Sequence, residues 1–314
     1  MPDKKKDRVI DAVSVGYTAV DCLGTVDDLP AKNSKLEMDE FTIQGGGPAA
    51  TAAVTLSRLG LATAFTGKVG DDLFGSYMLD RLRDEGVDVS STVVEEGGRS
   101  QFAFIMIDRR SAERTILWTR GSLSPLSPRE IDAGLIAGAR GLLVDSLEPA
   151  AALEAAKTAR ENGVQVVIDA GTLREGVREV LPFCDHIVGS ELFASQISAG
   201  GSVEDALREI ACFGPDSSVV TLGERGCAFL DDGRVRYVEG FNVDAKDTTG
   251  AGDVFHGAFL AGVLAGYGLY GTCVFSNAVA ALKCRSTGGR QGIPGLEEAL
   301  RFIERERPGT GLRP

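Results

Sequence analysis

From residue 141 to residue 222 the chain alternates short apolar runs with amphipathic stretches, and this rhythm constrains the fold more than any other feature. Residues 141–145, 164–169, 186–189 and 218–222 read as strands, while 149–162 and 203–211 between them keep helical spacing. Nearly continuous apolar strands are buried on both faces, so the alternation implies a parallel sheet with helices on both sides. The upstream part has the same character. An apolar strand is expected over 8–16 and another over 62–69. One helix opens at Gly45-Gly46-Gly47-Pro48 and stops at Gly60; the next is capped by Asp71 or Asp72 and stops at Gly86.

Two segments break the rhythm. Residues 27–44 are polar with loose alternation, and 98–119 carry two apolar stretches around Asp108-Arg109-Arg110-Ser111, the pattern of a hairpin. Together they are expected to form a small lid sheet on a single domain spanning 1–314. A hairpin at 227–238, a glycine-rich loop and a long apolar helical region over 253–282 complete the chain.

A formal net charge of −12 disfavours a nucleic acid or an anionic membrane as partner. It leaves room for a small phosphorylated ligand, which backbone amides can hold. The six cysteines show no Cys-x-x-Cys spacing, and His186 and His256 are too few for an ordinary zinc site. The stretch after the basic residues 1–8 is too short for a signal core, and the most apolar run, 254–264, falls short of a membrane span. A cytoplasmic location is the expectation.

Chemistry concentrates in Asp247-Thr248-Thr249-Gly250-Ala251-Gly252-Asp253, followed at once by an apolar helix. Small residues at 250–252 admit close approach of a ligand, and a helix start offers amides and a favourable dipole to an anion. A carboxylate beside such a site can orient and deprotonate a hydroxyl while a phosphoryl group is held, which suits phosphoryl transfer. Neither Gly-x-x-x-x-Gly-Lys-Ser/Thr nor a strand-borne Gly-x-Gly-x-x-Gly occurs, so P-loop and dinucleotide chemistry have no support.

The 247–253 motif resembles the C-terminal signature of the PfkB, or ribokinase-like, carbohydrate kinases, and Gly45-Gly46-Gly47-Pro48-Ala49 resembles their N-terminal one. The likeness runs from the first strand to Pro294. It implies a ribokinase-like α/β fold and ATP-dependent phosphorylation of a hydroxyl of a small sugar, of the ribose, ketose or ketose phosphate class. Asp253 is then the general base, and Gly250, Ala251 and Gly252 the anion hole. Asp21, Gly45, Gly46 and Lys35 fall at sugar-binding positions, and Thr221, Gly223, Gly226 and Asn277 at ATP-binding ones.

The resemblance also implies Mg2+ linked to Glu191, a monovalent cation (K+) at carbonyls around 247–249 and in the 281–294 loop, and a homodimer formed through the lid. Two departures stand out. Ala50 replaces an asparagine common in the family, and Ser190-Glu191-Leu192-Phe193 lacks the second acid of the usual Asn-x-x-Glu motif. The tail through Gly288-Gly289-Arg290-Gln291-Gly292-Ile293-Pro294 is most similar to a sulfofructose kinase and ketohexokinase-like branch, although Trp118 and Leu147 stand where that branch carries anion donors. His256, one turn beyond Asp253, reads as structural. A nucleoside kinase of the same fold and a non-catalytic sugar sensor remain alternatives.

Overall fold

A computed structural model describes residues 9–38, 40–110 and 114–313. The chain starts with β1 (Ala12–Val15), leaves the body as β2 (Ala19–Val26), returns as β3 (Glu40–Gly46) and enters α1 (Pro48–Arg58). It rejoins the body at β4 (Thr63–Thr66); β5 (Lys68–Gly70), α2 (Leu73–Asp84) and β6 (Val93–Glu95) follow, then β7 (Phe102–Asp108) and β8 (Arg114–Thr119). The regular alternation is α3 (Ala133–Ala137), β9 (Gly141–Asp145), α4 (Pro149–Glu161), β10 (Gln165–Ala170), α5 (Val177–Val180), β11 (His186–Ser190), α6 (Glu191–Ile197), α7 (Val203–Ala211) and β12 (Ser217–Thr221). A hairpin of β13 (Cys227–Asp231) and β14 (Arg234–Val238) precedes α8 (Ala251–Leu264), α9 (Leu269–Cys284) and α10 (Leu296–Glu306).

Among the described residues, eight strands form the central sheet in the order β14-β13-β12-β11-β10-β9-β1-β4, parallel except for the terminal hairpin. The period of two along each strand sorts its apolar residues between two cores. Leu143, Val167, Val188 and Val219 face α1, α8 and α9, whereas Val144, Val166, Ile168, Ile187 and Val220 face α4, α6 and α7. The chain runs outward from β1 to β4 on one side and from β9 to β10 on the other, so β1 and β9 flank the point where strand order reverses. A crevice beyond the carboxyl ends of the strands is expected there.

The lid is a separate four-stranded sheet, β3-β2-β7-β8. Its composition corrects the expected segments. Residues 27–38 carry no strand, and Ala19–Val26, to which the sequence reading assigns no element, is the lid strand that pairs with both β3 and β7. Residues 98–101 likewise precede β7 rather than extending it. The 62–69 strand is two strands in different sheets, and the long apolar helical region is two helices parted near Gly266, whose φ is +76°. Arg8, at the expected start of the first strand, and Ser111, in the expected hairpin turn, lie outside the described residues. Asp72, not Asp71, caps α2, accepting from Gly75 N at 2.7 Å. No helix among the described residues is long and apolar enough to cross a membrane.

Candidate active site

The crevice is assembled by residues that end strands or begin helices. Asp145 closes β9 and is 1% exposed. Its carboxylate accepts from Tyr17 N at 2.7 Å, Leu147 N at 2.9 Å and Ala49 N at 3.3 Å, joining the exit of β1, the exit of β9 and the start of α1. Gly16 is required beside it, because a Cβ there would lie 2.3 Å from Asp145 Oδ2. The same logic governs Gly45 and Gly46. Added Cβ atoms would fall 2.2 Å from Arg290 Nη1 and 2.1 Å from Asp21 Oδ2, so these glycines make room for the protein's own charges. Arg290, itself buried, donates to Gly46 O at 2.6 Å and Thr51 Oγ1 at 3.2 Å.

Asp253 stands in the first turn of α8. Gly250 caps that helix in the left-handed region at φ 73°, with the Gly289 backbone only 2.9 Å from where its Cβ would be, so no other residue fits without strain. The Ala251 amide donates to Thr248 O at 3.1 Å and closes the turn. Of the three residues expected to form the anion hole, Ala251 thus has its amide engaged within the protein. The amides of Gly252 and Asp253 find no protein acceptor among the described residues, and the space beside Gly252 is open. Open amides at a helix start are the kind of surface that can receive an anion.

Burial raises the pKa of four carboxylates here. Asp253 rises to about 7, with like charges from Asp169 and Asp145 adding to desolvation while His256 and Arg290 oppose it. Asp21 also rises to about 7, desolvation outweighing the lowering by Arg290. Asp145 reaches about 6 despite its three amides, and Asp169, at the end of β10, about 8. Desolvation brings Arg290 down to about 10, against the raising effect of Asp21. A base poised near neutrality beside an anion site matches what general-base catalysis needs. His256 lies beneath, Nδ1 2.6 Å from Gly252 O and 3.4 Å from Asp169 Oδ2, Nε2 3.1 Å from Val188 O. Burial holds its pKa below the ordinary value. Its ring ties α8 to β11, as a structural histidine does.

The remaining expected residues distribute unevenly. Glu191 opens α6 at the end of β11, exposed and ion-paired with Arg225, which lies in the turn bounded by Gly223 and Gly226. Thr221 ends the adjacent β12. Gly226 needs its φ of +92°, since a Cβ would meet Val238 O at 2.1 Å. Asn277 donates to Val238 O at 3.2 Å and Glu239 O at 3.3 Å, so its amide group holds the end of β14 in place. Lys35 is exposed on the irregular stretch between β2 and β3, away from strand pairing. Asp145, Asp169 and Arg290 were missed as site residues. The available signal was an aspartate closing an otherwise apolar strand, where a parallel sheet places its ligands.

A doubly wound sheet with buried carboxylates at its strand ends and a glycine-capped helix facing them defines a phosphotransferase-type α/β fold. The pfkB family carbohydrate kinase model matches residues 9–295, and the chain belongs to that family. A ribokinase of Haemophilus influenzae is 32% identical over 275 residues, covering 84% of this chain and 89% of the relative. A nucleoside kinase of Methanothermobacter thermautotrophicus is 28% identical, covering 93% and 94%. The crystal structure of an Agrobacterium tumefaciens protein superposes with a TM-score of 0.86 at 31% identity, over 94% of this chain and 98% of that one. The fold is ribokinase-like, and the protein is a carbohydrate-kinase-family enzyme acting on a sugar or nucleoside.

Proposed function

We propose that this enzyme transfers the terminal phosphoryl group of ATP to a hydroxyl of a small sugar or sugar derivative, of the ribose, ketose or ketose phosphate class. The observation that carries this reading is the juxtaposition of Asp253 with the amides of Gly252 and Asp253 at the start of α8, which find no acceptor among the described residues. Asp253 accepts the hydroxyl proton. The helix start holds the transferred group, and Gly250 fixes the turn that presents it. Asp21, held against Gly46 with Arg290 beside it, accepts hydrogen bonds from further hydroxyls.

The far end of the sugar would lie against, not within, a water-sized polar recess lined by Gly16, Tyr17, Lys68, Gln101, Arg120 and Glu148. Arg120 is spent on Glu148 at 2.9 Å, and Lys68 on Glu130 at 2.9 Å. With its cations internally paired, this recess favours a neutral hydroxylated end over a sulfonate, which argues against the sulfofructose branch. ATP then lies along Thr221, Gly223 and Gly226. Oxygen donors at the strand ends, Glu191 included, suit magnesium, which neutralises phosphate charge when bound; Glu191 is shared with Arg225, so it would act through water.

The lid leaves Phe41, Ile43, Ile116, Leu117 and Trp118 exposed, and a second copy of the chain through its own lid is the cover we propose. Light scattering on a sizing column distinguishes the dimer from a strict monomer. The substrate reading is tested by ATP-dependent phosphorylation of ribose, fructose, fructose phosphates, sulfofructose and adenosine. Turnover of ribose or a ketose supports it. Turnover of adenosine alone replaces it with the nucleoside reading, and ATP hydrolysis indifferent to every acceptor overturns catalysis on a sugar.

A further inference from the structure

Lys283, near the end of α9, is fully buried, with 0% exposure. Its ammonium donates to Asp247 O at 3.0 Å and to Thr249 O. Those carbonyls belong to the turn that runs directly into the α8 cap. The turn is also pinned from its other side, where the Asp247 carboxylate accepts from Thr249 N at 2.8 Å and Gly288 N at 2.6 Å, and the Lys246 amide donates to Cys284 O at 2.8 Å. Burying an ammonium is costly unless dipoles and charge surround it, and this one is surrounded by carbonyls with a carboxylate close by.

The consequence follows from peptide planarity. A carbonyl and the N–H of the same peptide unit point in opposite directions. Drawing the Thr249 carbonyl down to Lys283 turns the Gly250 amide the other way, toward the start of α8, and the Asp247 carbonyl does the same for the Thr248 amide. Family resemblance places a monovalent cation at these carbonyls. They do not fit one, because a fixed unit charge already occupies them and would repel a second.

We propose that Lys283 is a built-in cation that orients the phosphoryl-binding turn, so that catalysis by this protein needs no potassium. This rests on reading the α8 start as the phosphoryl site. Lys283 is a positioning residue, touching the turn and not the substrate.

The test compares wild type with Lys283→Met, assayed with whichever acceptor the substrate panel identifies, in tetramethylammonium chloride with KCl exchanged in at constant ionic strength. Wild-type rate and melting temperature should not change with KCl. Lys283→Met should lose about 10²-fold in kcat without potassium, as for loss of an anion-hole donor, and regain much of it when KCl is added. Its melting temperature should likewise rise by several degrees with KCl. Potassium activation of the wild type, or a folded variant blind to KCl in both rate and melting, overturns the proposal. If Lys283→Met is insoluble, Lys283→Gln takes its place. The melts read the lysine's role even if no sugar is turned over, whereas failure of the phosphoryl-site reading appears as an inactive wild type.

Discussion

The carboxyl end of the central sheet and the lid sheet handle polarity in opposite ways. In the body, apolar strands and helices enclose charge: Asp145, Asp169, Lys283 and Arg290 are all buried and tied to neighbours. In the lid, Leu23, Ala103 and Ile105 form only a small core, while Phe41, Ile116, Leu117 and Trp118 stand in water. The body is finished by its own packing, which lets it keep charges at raised or lowered pKa values. The lid is finished only by what covers it. On the proposed reading, chemistry belongs to the first region, and choice and retention of substrate to the second.

The sharpest way to break this division is Asp253→Asn. It should lower kcat by about 10²–10⁴-fold while leaving sugar affinity nearly intact, measured by steady-state kinetics and calorimetry. An active variant would move the chemistry elsewhere. Gly250→Ala comes next, since it forces a Cβ onto the Gly289 backbone at a positive φ. Left-handed strain of about 1–2 kcal/mol translates into roughly a tenfold loss of kcat/KM, with the lid unaffected.

The pH dependence sharpens the picture of the body. With Asp253 at about 7, kcat/KM should rise with pH through that value, because only the ionised carboxylate accepts a proton. For stability the sign is reversed from that of an exposed acid. Asp169 is raised from 3.8 to about 8, so the folded chain keeps a proton that the unfolded chain has released between those values. Stability contributed by this group is thus full below the lower value and falls as pH rises toward the upper one. Thermal melts of Asp169→Asn should show a flatter pH profile. The smallest effect should come from Trp118→Lys in the lid: a KM raised several-fold and a weakened dimer on a sizing column, with kcat held and the melt shifted within about 0.5 kcal/mol. A kcat loss matching that of Asp253→Asn would erase the division between the regions.

The body was legible in the sequence because buried parallel strands are apolar throughout, and the motif ending in Asp253 marked the helix start on which the proposed phosphoryl site rests. β2 escaped because Asp21 and Gly24 make Ala19–Val26 look like a loop; the strand exists because its pairing with β3 and β7 outweighs that local preference. The break between α8 and α9 was hidden by apolar residues on both sides. The hold of Asn277 on the end of β14 was not legible, since the carbonyls it meets lie about forty residues away in sequence. Lys283 sits inside an apolar helix, and only the folded chain shows that Asp247 and Thr249, 36 and 34 residues upstream, claim its ammonium.

Asp145 fastens the roots of three segments, yet the lid strand β2 leaves the body through a joint of only three residues, Gly16 to Thr18. Past that joint, Val20 and Cys22 of β2 still pack into the body's core with Phe104 against it, while Leu23, Ala103 and Ile105 form a cluster of their own. With those inner contacts kept, the outward-facing side of the sheet is free to change without disturbing the body, as a tool handle accepts a new bit.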